Sequence, residues 1–230
     1  IEGARAAAAQ PQATGMWLAQ HGLFTWGDTA DESLGRFRDA VAVCEAHLAA
    51  RGAALMPPTA RAGNAELEAL RPHLRSAFPG FAEHDLRGAE PLARLSGQDG
   101  MAEAVSRGTV TPDHVIRIKP WPMVIPAGAD AGTVAQAAEA FAAAYTRYFE
   151  AHTDGSLTML DRSPRVVFVP GAGVIGLGRS KTEARINADL AEQNLRVAAS
   201  AEALGGYQPL PRHEQFRIEY WELEQAKLRK

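Results

Sequence analysis

The chain has 230 residues, 46% of them hydrophobic and 22% charged, which is enough apolar material for one large core or two modest ones and excludes a disordered tail. Its 24 Lys and Arg stand against 27 Asp and Glu, a formal net charge of -3 with no basic block, so nucleic acid is not an expected partner. The single Cys44 excludes an internal disulfide framework and a Cys-rich zinc site, no apolar run reaches bilayer-spanning length, and the expected compartment is the cytoplasm.

The chain opens at Ile1 with no initiator Met and no signal-peptide pattern, and is expected to be a piece of a longer polypeptide. A strand is predicted at Met16 to Ala19. After Asp31 the apolar residues Leu34, Phe37, Val41, Cys44 and Leu48 recur at steps of three and four, predicting a helix that ends near Gly52. Cys44 lies on that stripe and reads as a small packing residue rather than a reactive thiol. Pro57 to Gly63 and Phe78 to Gly88 read as loops, and His114 to Ile118 and Met123 to Ile125 as short strands. A helix is predicted from about Asp130 to His152 with Val134, Ala138, Phe141, Tyr145 and Tyr148 inward, then a strand at Val166 to Val169 and a helix from about Lys181 to Ala203. Tyr207 to Lys230 ends in a polar, charge-alternating helix that suits a connector. Trp26, Trp121 and Trp221 read as packing anchors.

Two stretches share one layout. Gly22, Gly27 and Glu32 match Gly173, Gly178 and Glu183, each 151 positions further on, and in both an apolar strand meets a Gly turn, a second apolar run follows, and a Glu opens a helix. That spacing is too long for a solenoid and leaves open a duplicated domain. One mismatch matters chemically: His21 in the first copy is Ala172 in the second.

Gly171 to Gly176 satisfies GxGxxG between a strand and a helix, and Gly173 to Ser180 misses a phosphate-loop pattern only by Arg179. The dinucleotide reading needs a second strand with an acidic end after the helix, and none is visible. The glycines therefore read as turn residues of a hairpin, Val166 to Val169 pairing with Val174 to Leu177, with anion binding beside Arg179 and Lys181 as a minor reading. His21 ends a strand at a turn, where an imidazole is structural or one metal ligand among several. The other histidines form no spaced pair, and no serine has an activated context. Asp113-His114 reads as a Pro-initiated turn capped by Asp113, with Arg117 as a solvated partner, in preference to a general base.

The run HGLFTWGDTADES, from His21 to Ser33, resembles a late motif of the class II aldolase/adducin family, in which a strand ends in His-Gly and the His is a ligand of the catalytic zinc. TPDHVIRIKPWP, PRVVFVPGAGVIGLGRSK and EYWELEQAKL are similar to the middle of bifunctional proteins that join a class II aldolase half to a short-chain dehydrogenase half, of the rhamnulose-1-phosphate aldolase/alcohol dehydrogenase kind. The resemblance implies reversible aldol cleavage of a ketose 1-phosphate, with dihydroxyacetone phosphate and lactaldehyde as products. His21 carries over as one zinc ligand. No residue carries over as catalytic or as cofactor-binding, since the other zinc ligands lie upstream of this motif and NAD(P) belongs to a dehydrogenase half absent from this chain.

The expected fold is an α/β three-layer αβα arrangement, with a mixed or antiparallel central sheet, the repeat as a candidate duplication, and a C-terminal linker helix. The expected organisation is residues 1–55 as the end of an aldolase domain, 56–206 as a second aldolase-like domain, and 207–230 as a linker toward a dehydrogenase. The expected partners are a sugar phosphate, further copies of the chain in a homo-oligomer and the rest of the polypeptide, with no membrane. Two rival readings remain: a nucleotide-binding dehydrogenase module on Gly171 to Gly178, and a non-catalytic assembly domain.

Overall fold

A computed structural model describes residues 5–6, 9–19 and 21–226. By its internal contacts the chain divides into two compact units, Ile1–Leu55 and Met56–Lys230.

In the first unit, β1 (Gly15–Leu18) and β2 (Gly22–Thr25) form an antiparallel hairpin, with Met16 opposite Phe24 and Trp17 opposite Leu23. A 21-residue helix, α1 (Ala30–Ala50), follows. It begins where it does because Thr29 accepts a hydrogen bond from the Glu32 amide (3.1 Å) while Glu32 reaches back to the Asp28 amide (2.8 Å), a reciprocal cap. The predicted apolar stripe is present, but α1 has no buried residue: Leu34 is 45% and Phe37 40% exposed, and Cys44 is half-buried.

The second unit is built on a four-stranded mixed sheet, in the order β3 (Glu83–Arg87), β6 (Gly173–Gly178), β5 (Val166–Val169), β4 (Met123–Val124). The β3/β6 and β6/β5 pairs are antiparallel, and β4/β5 is parallel. Helices cover both faces, giving three layers. On one face α2 (Ala65–Ala77) and α6 (Ala131–His152) bury Leu67, Leu70, Leu74, Val134, Phe141 and Tyr145 against Val167, Val169, Ile175 and Leu177. On the other, α3 (Glu90–Ser96), α4 (Met101–Ser106) and α7 (Lys181–Ala203) pack Leu92, Met101, Ala104, Leu195 and Ala198 on Val166, Phe168 and Val174. β5 thus alternates strictly between the two cores, as a strand buried on both faces must. This is the expected α/β architecture.

The remaining helices are short: α5 (Val115–Ile118), α8 (Arg212–Glu219) and α9 (Glu222–Ala226). Four sequence expectations are corrected here. His114 to Ile118 is not a strand, because His114 closes a 3-10 turn, Pro112–His114, that runs into α5. No side chain caps that turn, so Asp113 is not its cap. The segment Phe78 to Gly88 is not a loop throughout: after a 3-10 turn, Pro79–Phe81, it holds the edge strand β3. The tail is two helices rather than one among the described residues. Phe216 is 4% and Glu219 1% exposed, and Phe216 is part of the core shared by α2 and α6.

The repeat is visible in hydrogen bonds. β1 and β5 start 151 positions apart, as do β2 and β6, and α1 and α7. The turn bond from His21 N–H to Leu18 O (3.1 Å) recurs as Ala172 N–H to Val169 O (3.0 Å). The cap of α1 recurs in α7, where Glu183 N–H donates to Ser180 Oγ (3.2 Å) and Arg179 N–H to Glu183 (2.8 Å). Burial separates the copies: Trp17 is 60% and Phe24 48% exposed, while their counterparts Phe168 and Ile175 are sealed between helices.

Candidate functional site

His21 lies at the hairpin turn of the first unit, exposed, its ring stacked on Phe24 with centroids 6.3 Å apart. No three His, Cys, Asp or Glu side chains converge on a metal position among the described residues. The residues present therefore do not fit a closed zinc site, which needs three or four ligands.

The glycine-rich turn of the second unit has a packing role. Val174 and the Cα faces of Gly176 and Gly178 turn toward α7, and the side chains of Ile175 and Leu177 face α2 and α6. A Cβ on Gly176 would lie 2.2 Å from Ala184 O and 2.5 Å from Ala188 N, and one on Gly178 would lie 2.3 Å from Ala184 N. The two glycines are what lets the helix backbone rest directly on β6. Gly173, at φ 122, would place a Cβ 2.1 Å from Arg87 O, and Ala172 is buried with its carbonyl held by Asn64 at 2.9 Å. β6 runs antiparallel to both its neighbours, and no described strand follows α7. The strand–helix–strand unit of a dinucleotide fold is not built here, which overturns the nucleotide-binding reading of Gly171 to Gly178.

The cluster with chemical potential lies elsewhere in the second unit. Lys119 is the one described non-glycine residue in the left-handed region, at φ 62, held between the end of α5 and Pro120. Its side chain is 4% exposed, with Nζ 3.5 Å above the Tyr145 ring and 3.8 Å from Glu219 Oε1. Burial pushes the Lys119 ammonium down to about 8, the Glu219 carboxylate pulling in the other direction. Glu219 accepts a 2.8 Å hydrogen bond from the Tyr145 hydroxyl, which also meets the Tyr220 hydroxyl at 2.9 Å, and its Oε2 has no hydrogen-bond partner. Burial drives the Glu219 carboxyl above the usual range against the pull of Lys119, and drives the phenols of Tyr145 and Tyr148 above theirs.

Lys119 and Glu219 form the floor of a 580 Å³ cleft whose walls include Arg117, Asp161, Arg165, Arg179 and Glu183. Arg117 faces this cleft rather than pairing with Asp113. Elements far apart in sequence supply the parts. α8 anchors the Lys119-Pro120-Trp121-Pro122 segment, with Arg212 donating to Pro120 O (3.0 Å) and lying 4.5 Å over the Trp121 ring. Trp121 packs on Phe141, Tyr145 and Tyr148, the anchoring role expected of it, whereas Trp221 is 51% exposed. The Ile-Lys-Pro-Trp-Pro run does not reveal this site from sequence alone. A Lys before Pro, ending a short helix, was the only local signal.

Residues 65–228 match the family model described as "Aldolase class II, second domain". The chain belongs to this class II aldolase family. It is 25% identical over 248 residues to the protein named "Uncharacterized oxidoreductase YuxG" from Bacillus subtilis (strain 168), covering 98% of this chain. The chain spans 35% of that relative's length. No solved structure matches the chain. No described helix is long and apolar enough to cross a membrane.

Proposed function

We propose that this chain is the central part of a longer, bifunctional sugar-catabolic enzyme of the cytoplasm. Its aldolase portion cleaves a ketose 1-phosphate of the rhamnulose 1-phosphate type, and a dehydrogenase portion, carrying NAD(P), oxidises or reduces the aldehyde product. In this reading residues 1–55 close an aldolase domain, the domain from residue 56 is a second aldolase-like scaffold, and the chain's end leads toward the dehydrogenase. Zinc is the implied metal of the aldolase portion, and His21 is the one residue of this chain that serves it. The match to the class II aldolase family carries the reading, and the word oxidoreductase in the relative's name supports the second activity.

The two copies of the hairpin and helix support the assignment of His21 over Ala172. The first copy holds its imidazole exposed at the turn, beside open apolar side chains that further chain can cover, and the second holds a buried methyl group. Homo-oligomerisation belongs to the same proposal, as another means of covering the Trp17 and Phe24 face.

The test uses the longer coding product. Incubation with rhamnulose 1-phosphate is expected to release dihydroxyacetone phosphate, and His21→Ala is expected to remove that activity while leaving the far-ultraviolet circular dichroism unchanged. Full cleavage by His21→Ala would refute the assignment.

A further inference from the structure

The geometry points to the Lys119–Glu219 cleft of the second domain as a binding site for a small phosphorylated hydroxy compound, with the phosphate toward Arg117 and the start of α7 and a hydroxyl toward Glu219. This goes beyond aldol cleavage, because the cleft opens at the end of β6 opposite the Ala172 turn, the counterpart of the His21 turn.

Three observations converge. First, the unspent charge on the walls is cationic. Asp161 is gripped by Arg165 through both oxygens and reached by Arg179 at 3.5 Å; the Glu183 carboxylate accepts from the Arg179 amide at 2.8 Å and keeps its charge, so Arg117, Lys119, Arg165 and Arg179 exceed Asp161, Glu183 and Glu219 by one. Arg117, half-buried in the wall, makes no ion pair or hydrogen bond with any described residue.

Second, the 23-residue helix α7 begins at the cleft, and its Ser180 cap serves the Glu183 amide, leaving the Lys181 and Thr182 amides at the positive end of the dipole without intrahelical partners. Third, Glu219 is 1% exposed and lines the same cleft, with Oε2 in no hydrogen bond of normal geometry although the Tyr148 hydroxyl interacts with the carboxyl. A buried carboxyl oxygen outside any well-formed hydrogen bond is matched by a ligand hydroxyl and repelled by a bare phosphate. An anion site next to a hydroxyl acceptor selects a phosphorylated polyol or ketose over inorganic phosphate, and 580 Å³ accommodates one.

Isothermal titration of the 230-residue chain with dihydroxyacetone phosphate, inorganic phosphate and dihydroxyacetone tests this. Saturable binding of dihydroxyacetone phosphate is expected, about tenfold or more tighter than inorganic phosphate, with no heat from dihydroxyacetone. Arg117→Ala, which removes no packed core residue, is expected to weaken that binding about tenfold at unchanged melting temperature, and Arg94→Ala, an exposed arginine outside the cleft, to leave it as it is. Glu219→Gln, if folded, is expected to narrow the margin over inorganic phosphate. Absence of binding, equal affinity for inorganic phosphate, or equal effects of Arg117→Ala and Arg94→Ala would each overturn the proposal. Aldol activity of the longer protein is measured separately, so either idea can fail alone.

Discussion

His84 shows how a single side chain ties stability to acidity. It sits on β3 with neither ring nitrogen hydrogen-bonded. Burial, with help from Arg75 and Arg71, pushes its imidazolium down from 6.5 to about 4. Between those values the unfolded chain binds the proton and the folded one does not. The stability His84 allows is therefore complete above pH 6.5 and drains away as pH falls toward 4. Chemical denaturation across this range is expected to show a decline that His84→Leu makes shallower. Arg87 makes the complementary case. It is 1% exposed and meets Asp85 at 2.6 Å, Asp189 at 2.8 Å and Glu192 at 3.4 Å, while Glu192 also takes the Thr59 amide at 2.6 Å. Arg87→Ala would strand a buried carboxylate, and a loss of about 3 kcal/mol in unfolding free energy is expected.

The helix seat on β6 sets the tolerance of the central elements. Gly176→Ala drives a methyl group into the α7 backbone, so the helix must move off the sheet, and destabilisation of about 1–3 kcal/mol is expected in urea titration. The same change at half-buried Gly35, where a Cβ meets nothing within 4 Å, is expected to be neutral or slightly stabilising. The elements legible in the sequence were those whose own residues decide them. The β5–β6 hairpin follows from four consecutive apolar residues and glycines, and α1, α6 and α7 from helical spacing. β3 was hidden because Glu83-His84-Asp85-Leu86-Arg87 is polar, and its buried Arg87 is met by Asp85 on the strand itself and by Asp189 and Glu192 of α7, a hundred residues away in sequence. α5 was misread because Val, Ile and Ile favour strands, a local preference that tertiary packing overrides in a four-residue helix. The Lys119 cleft is invisible in the sequence because its parts come from α5, α7, α8, α9 and the strand approaches, and only folding brings them together.

At the scale of the whole molecule, one hairpin-and-helix device is used twice to different ends. The second use is closed by β3, β4 and helices on both faces, with Ala172 buried where the first carries His21. Under the proposed function, metal chemistry belongs to the first turn alone, and the isolated 230-residue chain is expected to bind no stoichiometric zinc. The most direct check is the zinc content of the longer protein after dialysis, measured for the wild type and for His21→Ala by inductively coupled plasma mass spectrometry. Stoichiometric zinc in the wild type and its loss in the variant is the predicted result. A variant that retains its zinc would contradict the central claim.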